Sequence, residues 1–321
     1  MRSSINLIPE TAVTEMVELA VRAESAGFDR CWVYDEGLVT RDVHVTMTAI
    51  AAATSTIEIG PGITNPYTRH PAQTASAIAT LDEISGGRAF LGVGAGGSLT
   101  LDPIGVERVR PLRAVRETID ICRALFSGDT VSIDGGHASL RAATLGYGRP
   151  DIEIWLAGRG PKMLALGGSS ADGVMLDFIH RDALGDSIEL VRQAAVSVGA
   201  SPAICYSTAI VTDADDLEFV RPHMTYRLVD APDQIKAALG MSEADVSRIR
   251  GAMAGGLHAA AEHVPDEWVL PFVISGSAAE CTATLAEVRD RHGIDEFLVP
   301  MFEMHDSVGY LDRVGSILEQ V

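Results

Sequence analysis

Four short stretches of the chain hold residue types that could act together in chemistry. Asp35 and Glu36 form an adjacent carboxylate pair that ends the short apolar run CWVY. Carboxylates so placed can serve as general acid and base, or can simply cap the helix that follows. Residues 60–71, GPGITNPYTRHP, crowd three prolines and two glycines around Asn65, Arg69 and His70. Fixed φ at proline and free φ at glycine predict a backbone held in an unusual shape. A flat ligand can lie against such a bulge with these polar side chains nearby; the alternative is a rigid loop whose Arg69 and His70 are solvated. Residues 91–97, LGVGAGG, end an apolar run in Gly94, Ala95, Gly96 and Gly97, which are small enough to let a ligand rest directly on a strand end. Their spacing is not the dinucleotide fingerprint, and no acidic residue closes a second strand about 20 positions on. In residues 156–163, LAGRGPKM, the N–H groups of Gly158 and Gly160, a helix start at Pro161 and the cations Arg159 and Lys162 make a phosphate cradle. The competing reading is a capped turn with two solvated cations. His44, His180 and His305 share no ligand spacing, so no metal is expected.

The elements that would position these stretches alternate along the chain. Short β-rich apolar runs at 5–8, 31–34, 57–62, 89–93, 152–156, 173–176, 203–211 and 297–301 are each followed by a stretch of helical length. The helices are expected at 11–26, with Val13, Val17, Ala20 and Val21 on one face, then at 43–53, 71–84, 112–126, 161–167, 181–198, 277–291 and 308–319. Two segments break the rhythm. Residues 129–150 read as an excursion with a β-like piece at 130–133, and residues 214–270 read as a helical insertion, too long for an ordinary strand-to-helix connection. Eight β/α units in one domain predict an α/β fold of the (β/α)8 TIM-barrel type with insertions, in preference to a doubly wound sheet. Such a barrel places its active site at the C-terminal strand ends, where all four stretches fall. His223, Tyr226, Arg227, His258 and His263 lie in the insertion and read as surface or core residues.

Composition narrows the function classes. With 44 acidic and 25 basic residues the net charge is −19, which repels nucleic acid and anionic membrane surfaces. No apolar run approaches the roughly 20 residues of a membrane span, and MRSSINLIPE lacks the apolar stretch of a signal peptide, so a cytoplasmic protein is expected. Cys31, Cys122, Cys205 and Cys281 are far apart and read as buried thiols.

WVYDEG, the run GPGITNPYTRHPAQTASAIATLDEISGGRAFLGVGAGG and LAGRGPKMLALGGSSADGVML resemble the luciferase-like flavin and deazaflavin oxidoreductases. Within them the chain is most similar to the coenzyme F420-dependent methylenetetrahydromethanopterin reductase branch. The resemblance implies a (β/α)8 barrel, a homodimer and a cofactor whose tricyclic ring lies on a non-prolyl cis peptide in the third-strand bulge, here Gly62–Ile63. It further implies that Thr64 and Asn65 lie near the ring's polar edge, and that Ala157, Gly158, Arg159 and Gly160 form the phosphate-binding turn. Asp35 and Glu36 match a pair near the reacting face, where relatives often carry Asp-His. Gly97 matches a position that is acidic in many F420-dependent members; since glycine donates no proton, Glu36 is the first candidate acid and Asp35 the second. The expected function is hydride transfer between F420 and a small unsaturated or imine-like substrate. The alternatives are an FMN-dependent luciferase-like monooxygenase and a non-catalytic flavin-binding barrel.

Overall fold

The computed structural model describes residues 1–302 and 305–321. Eight parallel strands form one sheet: β1 Arg2–Leu7, β2 Arg30–Val33, β3 Glu58–Pro61, β4 Leu91–Val93, β5 Ile154–Ala157, β6 Gly173–Asp177, β7 Ala203–Ser207 and β8 Glu296–Met301. Their order in space is β3-β2-β1-β8-β7-β6-β5-β4. The two ends of that series meet through parallel bridges, Ile59 to Ala89 and Thr64 to Val93, which close the sheet into a barrel. Between those bridges the chain leaves the ladder, and the Gly62–Ile63 peptide bond there is cis.

Local chemistry starts and stops the surrounding helices. The Asp42 side chain accepts from Val45 N at 3.0 Å, and His70 Nδ1 accepts from Ala72 N at 3.2 Å, each at the N-cap of its helix. Ser277 and Glu280 form a reciprocal capping box ahead of the helix Ala278–His292. Gly86 ends the helix Pro71–Ser85 in the left-handed region at φ 71°, where a side chain would be strained. In the first helix, Val13–Ser25, the buried residues are Met16, Leu19, Ala20 and Ala23. The expected stripe through Val13, Val17 and Val21 is therefore displaced; Val21 is exposed, because the larger Met16 and Leu19 take the barrel side.

Inside the barrel, Trp32, Phe90, Trp155, Met175, Cys205 and Leu298 pack into one cluster. Below them, Arg30 is fully buried and pairs with Glu58, Glu153 and Glu296, its guanidinium 4.7 Å from the Trp155 ring centroid. Three carboxylates around one buried cation keep that charge satisfied at the end of the barrel remote from the loops that follow the strands. All four cysteines are buried thiols.

The seventh strand is shorter than its apolar run. It ends at Ser207, Thr208 Oγ1 donates to the Phe272 carbonyl at 3.1 Å, and Ile210–Val211 pairs with Ile274–Ser275 in a separate two-residue ladder. Helices Ala214–Val229, Asp233–Ala238, Glu243–Ala252, Leu257–Ala261 and Asp266–Val269 fill the segment between these pieces. Their apolar side chains form a cluster with Ile8, Tyr34, Phe178 and Phe302, which seats the segment on the C-terminal strand ends.

The excursion after residue 128 is an antiparallel hairpin, Val131–Asp134 with Ser139–Ala143. Its turn is anchored by Glu117, whose carboxylate accepts from the N–H groups of Gly136, His137 and Ala138. Burial opposes that charge, yet Arg113 and the three N–H donors hold the Glu117 carboxyl at about 2. The anchored turn delivers His137 Nε2 to the Pro66 carbonyl at 2.6 Å, so the hairpin props the proline-rich loop from outside.

Candidate active site

A cleft of about 310 Å3 opens at the C-terminal ends of the strands. Its floor is backbone. A Cβ on Gly62 would stand 2.7 Å from Trp32 Cβ and 2.8 Å from Asn6 Oδ1, and one on Gly92 would lie 2.2 Å from the Pro61 carbonyl oxygen. A Cβ on Gly94 would meet Ile63 Cδ1 at 2.0 Å. Glycine at these positions lets the bulge after β3 press against β2 and β4, leaving the cis Gly62–Ile63 step in the cleft wall.

Two asparagines flank that step, and both are 2% exposed. Asn6 Nδ2 donates to the Gly62 carbonyl at 3.0 Å, which fixes the amide and leaves Oδ1 without a partner. Asn65 Oδ1 accepts from Tyr67 N at 2.9 Å and Thr68 N at 3.0 Å, leaving its Nδ2 without one. A buried polar atom without a partner costs about 1–3 kcal/mol. Both side chains line the cleft, and between them they leave one acceptor and one donor unanswered beside it, as a site for a polar-edged ligand does.

The carboxylate pair follows β2 and lines the cleft. Thr64 Oγ1 donates to Asp35 Oδ2 at 2.6 Å, so Thr64 is buried behind the wall and orients Asp35 instead of lining the cleft itself. Burial pushes the Asp35 carboxyl up against that hydrogen bond. Among the described residues no hydrogen bond reaches the Glu36 carboxylate. Burial raises its pKa, the neighbouring Glu10, Asp177 and Asp35 add to the rise, and Arg227 opposes it. Gly97 also lines the cleft, and a Cβ there would meet nothing within 4 Å, so the acid missing from this position leaves open space.

Of the remaining candidates, Ile63, Ala95, Gly96, Ala157, Gly158 and Arg159 line the cleft, and Gly94 lies under Ile63. Gly160 is outside the wall as the N-cap of the helix Pro161–Ser170, which starts without a side-chain cap. Its first turn is therefore open to an anion. His70 is a helix cap, and Lys162 is exposed beside the same turn.

Sequence reasoning missed two groups, Asn6 and Asp177, and underread two more. Asp177 ends β6 inside the cleft, and its Oδ2 accepts from Arg159 Nη2 at 3.0 Å and from Arg227 Nη2 at 3.0 Å and Nε at 3.2 Å. Its Oδ1 accepts from Ser207 Oγ at 2.9 Å. Burial alone would raise the Asp177 carboxyl, but the two arginines outweigh it and hold it below the ordinary range. Arg227 is 4% exposed, and its guanidinium carbon lies 4.5 Å from the Phe178 ring centroid. With Tyr226 it brings the insertion into the cleft wall, so these two are neither surface residues nor plain core. The available signal was an acidic residue ending a strand, DGVMLD, the same cue that singled out Asp35.

The family model described as luciferase-like monooxygenase matches residues 2–296. The chain is 33% identical over 298 residues to the 5,10-methylenetetrahydromethanopterin reductase of Methanolobus tindarius, covering 90% of this chain and 91% of that protein. It is 33% identical over 299 residues to the enzyme of the same name from Archaeoglobus fulgidus, covering 90% of each. The structure of a coenzyme F420-dependent tetrahydromethanopterin reductase from Methanopyrus kandleri superposes with a TM-score of 0.88 at 27% identity, covering 98% of this chain and 97% of that one. The barrel closed by a cis-bulged third strand and the match along nearly the whole chain lead to one assignment: this protein is a member of the luciferase-like monooxygenase family.

Proposed function

We propose that the protein is an oxidoreductase dependent on coenzyme F420, exchanging a hydride with an unsaturated or imine-like carbon of a small substrate. The observation that carries this reading is the pair of buried, unpartnered amide atoms, Asn6 Oδ1 and Asn65 Nδ2, beside the cis bulge. The pyrimidine edge of a deazaflavin alternates acceptors with an N–H donor, so the two atoms fit it. The curated relatives named above, and F420-dependent glucose-6-phosphate dehydrogenases 32–35% identical over about half of the chain, point to the same cofactor. When bound, F420 supplies a carbon centre, C5, that gives or takes a hydride.

The chain's own residues supply the rest. Gly62, Ile63, Gly94, Ala95 and Gly96 form a surface without protruding polar groups, which excludes water from a ring lying on it. Ala157, Gly158, Arg159 and Gly160 hold the phosphate at the uncapped helix start. Glu36 holds the proton that a reduced heteroatom must receive, and Asp35, fixed by Thr64, keeps that corner charged and raises the acid's pKa. The same reading takes the chain as one barrel domain with the 214–270 segment over its mouth, working as a homodimer in the cytoplasm. Among the described residues no helix is long and apolar enough to cross a membrane.

A fluorescence-quench titration of the purified protein with F420, with FMN in parallel, tests the cofactor. Saturable binding of F420 at concentrations where FMN does not bind is expected; a preference for FMN overturns the assignment. Arg159→Ala should weaken F420 binding by about 1.5–3 kcal/mol, roughly 10- to 150-fold, through loss of a charge-assisted contact. An unchanged dissociation constant would place the phosphate elsewhere.

A further inference from the structure

A second, smaller chamber of about 80 Å3 adjoins the cleft on the side away from the phosphate turn, and the two share the side chains of Tyr34, Glu36 and Tyr226. Beyond those three, its walls are chiefly aliphatic. Ile8 follows β1, Val39 lies in the loop after β2, Leu99 in the short helix after β4, and Leu257 begins a helix of the insertion. The one imidazole in the wall, His223, is stacked flat on Phe302 with ring centroids 4.0 Å apart. Burial, reinforced by Arg227, pushes its pKa down to about 3, so it is neutral at physiological pH. The carboxylates of Glu10 and Glu36 edge the chamber, while the nearest buried cation, Arg227, faces Asp177.

We propose that this chamber takes the non-reacting end of the substrate, making the substrate a compact, uncharged molecule with a small aliphatic group next to its reacting carbon. The proposal rests on the oxidoreductase reading only for the word substrate; the chamber's preference stands on its walls. Glu36, common to both spaces, then lies between the reacting atom and the aliphatic tail. A cationic tail must give up its hydration to enter walls that are mostly hydrocarbon. An anionic tail must give up its hydration as well, and among the described residues no Arg or Lys lines the chamber to receive it. A dry cavity of about 150 Å3 accommodates benzene, so a chamber half that size holds about three non-hydrogen atoms, an isopropyl group. Leu257 lines the chamber from the start of the helix Leu257–Ala261, so the size of its side chain bears on what the chamber admits.

The test uses three molecules of one shape and different charge: isobutyramide, isobutyrate and isobutylamine. The full-length protein, with leucine and valine methyl groups labelled, is titrated with each while the methyl resonances of Val39 and Leu99 are followed. Isobutyramide should shift both saturably, and the two charged analogues should bind at least about tenfold more weakly. Leu257→Trp should abolish the shifts at Val39 and Leu99 and leave the F420 dissociation constant unchanged. Leu257→Ala should instead turn the preference towards 3-methylbutyramide. Equal binding of a charged analogue, persistence of the shifts in Leu257→Trp with no change of preference in Leu257→Ala, or no shift with any of the three overturns the proposal. Because F420 binding is measured separately, loss of the cofactor reading with intact amide binding, or the reverse, tells the two failures apart.

Discussion

Replacing Glu36 by glutamine should lower turnover by about 10²- to 10⁴-fold, the usual contribution of a positioned general acid, with cofactor affinity nearly unchanged. Glutamine keeps the size and the polarity of the side chain but has no proton to give. The carboxyl suits the role because burial raises its pKa, and the nearby carboxylates of Glu10, Asp177 and Asp35 raise it further against the pull of Arg227. In the direction of substrate reduction the protonated form is the active one. Because the pKa is raised, that form persists to higher pH than for an ordinary glutamate near 4.3, and the rate falls as pH climbs through the raised value. The Gln variant should lack this limb. Full activity, or a variant profile that keeps the limb, would remove Glu36 from the reaction and leave Asp35 as the next carboxylate to try.

The second large effect is on stability. Asp177→Ala should destabilise the fold by about 3–5 kcal/mol, as removal of one partner does when it strands a buried charge. Arg227 would keep its carbonyl contact to His223 at 2.6 Å but lose both bonds to the carboxylate, inside an apolar cluster with Phe178 beneath it. Asp177→Asn, which retains hydrogen-bond acceptors without the charge, should lose less. Since the arginines hold the Asp177 carboxyl below its ordinary range, the pair contributes fully above about pH 4, the unfolded value, and is lost as pH falls through the depressed folded value. The wild-type and Ala stability curves should therefore converge at acid pH. Urea midpoints across pH measure both effects; a midpoint that does not move in Asp177→Ala would mean that water reaches Arg227.

The barrel was legible in the sequence because each strand is a short apolar run and several of the helices carry their own caps, at Asp42, His70 and Ser277 among them. Asp35, Glu36, Asn65 and the glycines were legible because they stand next to strand ends, where neighbours in sequence are neighbours in space. Strand seven was overextended, because the apolar run 203–211 serves two different ladders and periodicity cannot place the break at Thr208. Asn6 was overlooked because it reads as one polar residue within a strand. Its meaning depends on the Gly62 carbonyl, 56 positions away. The ion pair of Asp177 with Arg227 likewise joins residues 50 positions apart, and a charge on a helix of the insertion says nothing of its partner until the chain is folded. The role of the 129–150 hairpin was hidden for the same reason: His137 acts on Pro66 only across the packed surface of the barrel.

The glycine floor has a consequence for how such a protein can change over generations. At Gly60, Gly62, Gly92 and Gly94 any side chain collides with backbone or with a packed residue, within 2.0–2.7 Å at closest approach. Variation on this side of the cleft is therefore closed to selection, and whatever the floor carries is inherited almost unaltered. Another part of the wall comes from the insertion, where Tyr226 lines the cleft and Leu257 the adjoining chamber, and both border open space. A descendant that acquires a new substrate would do so by rewriting one wall of the cleft while the other stays fixed.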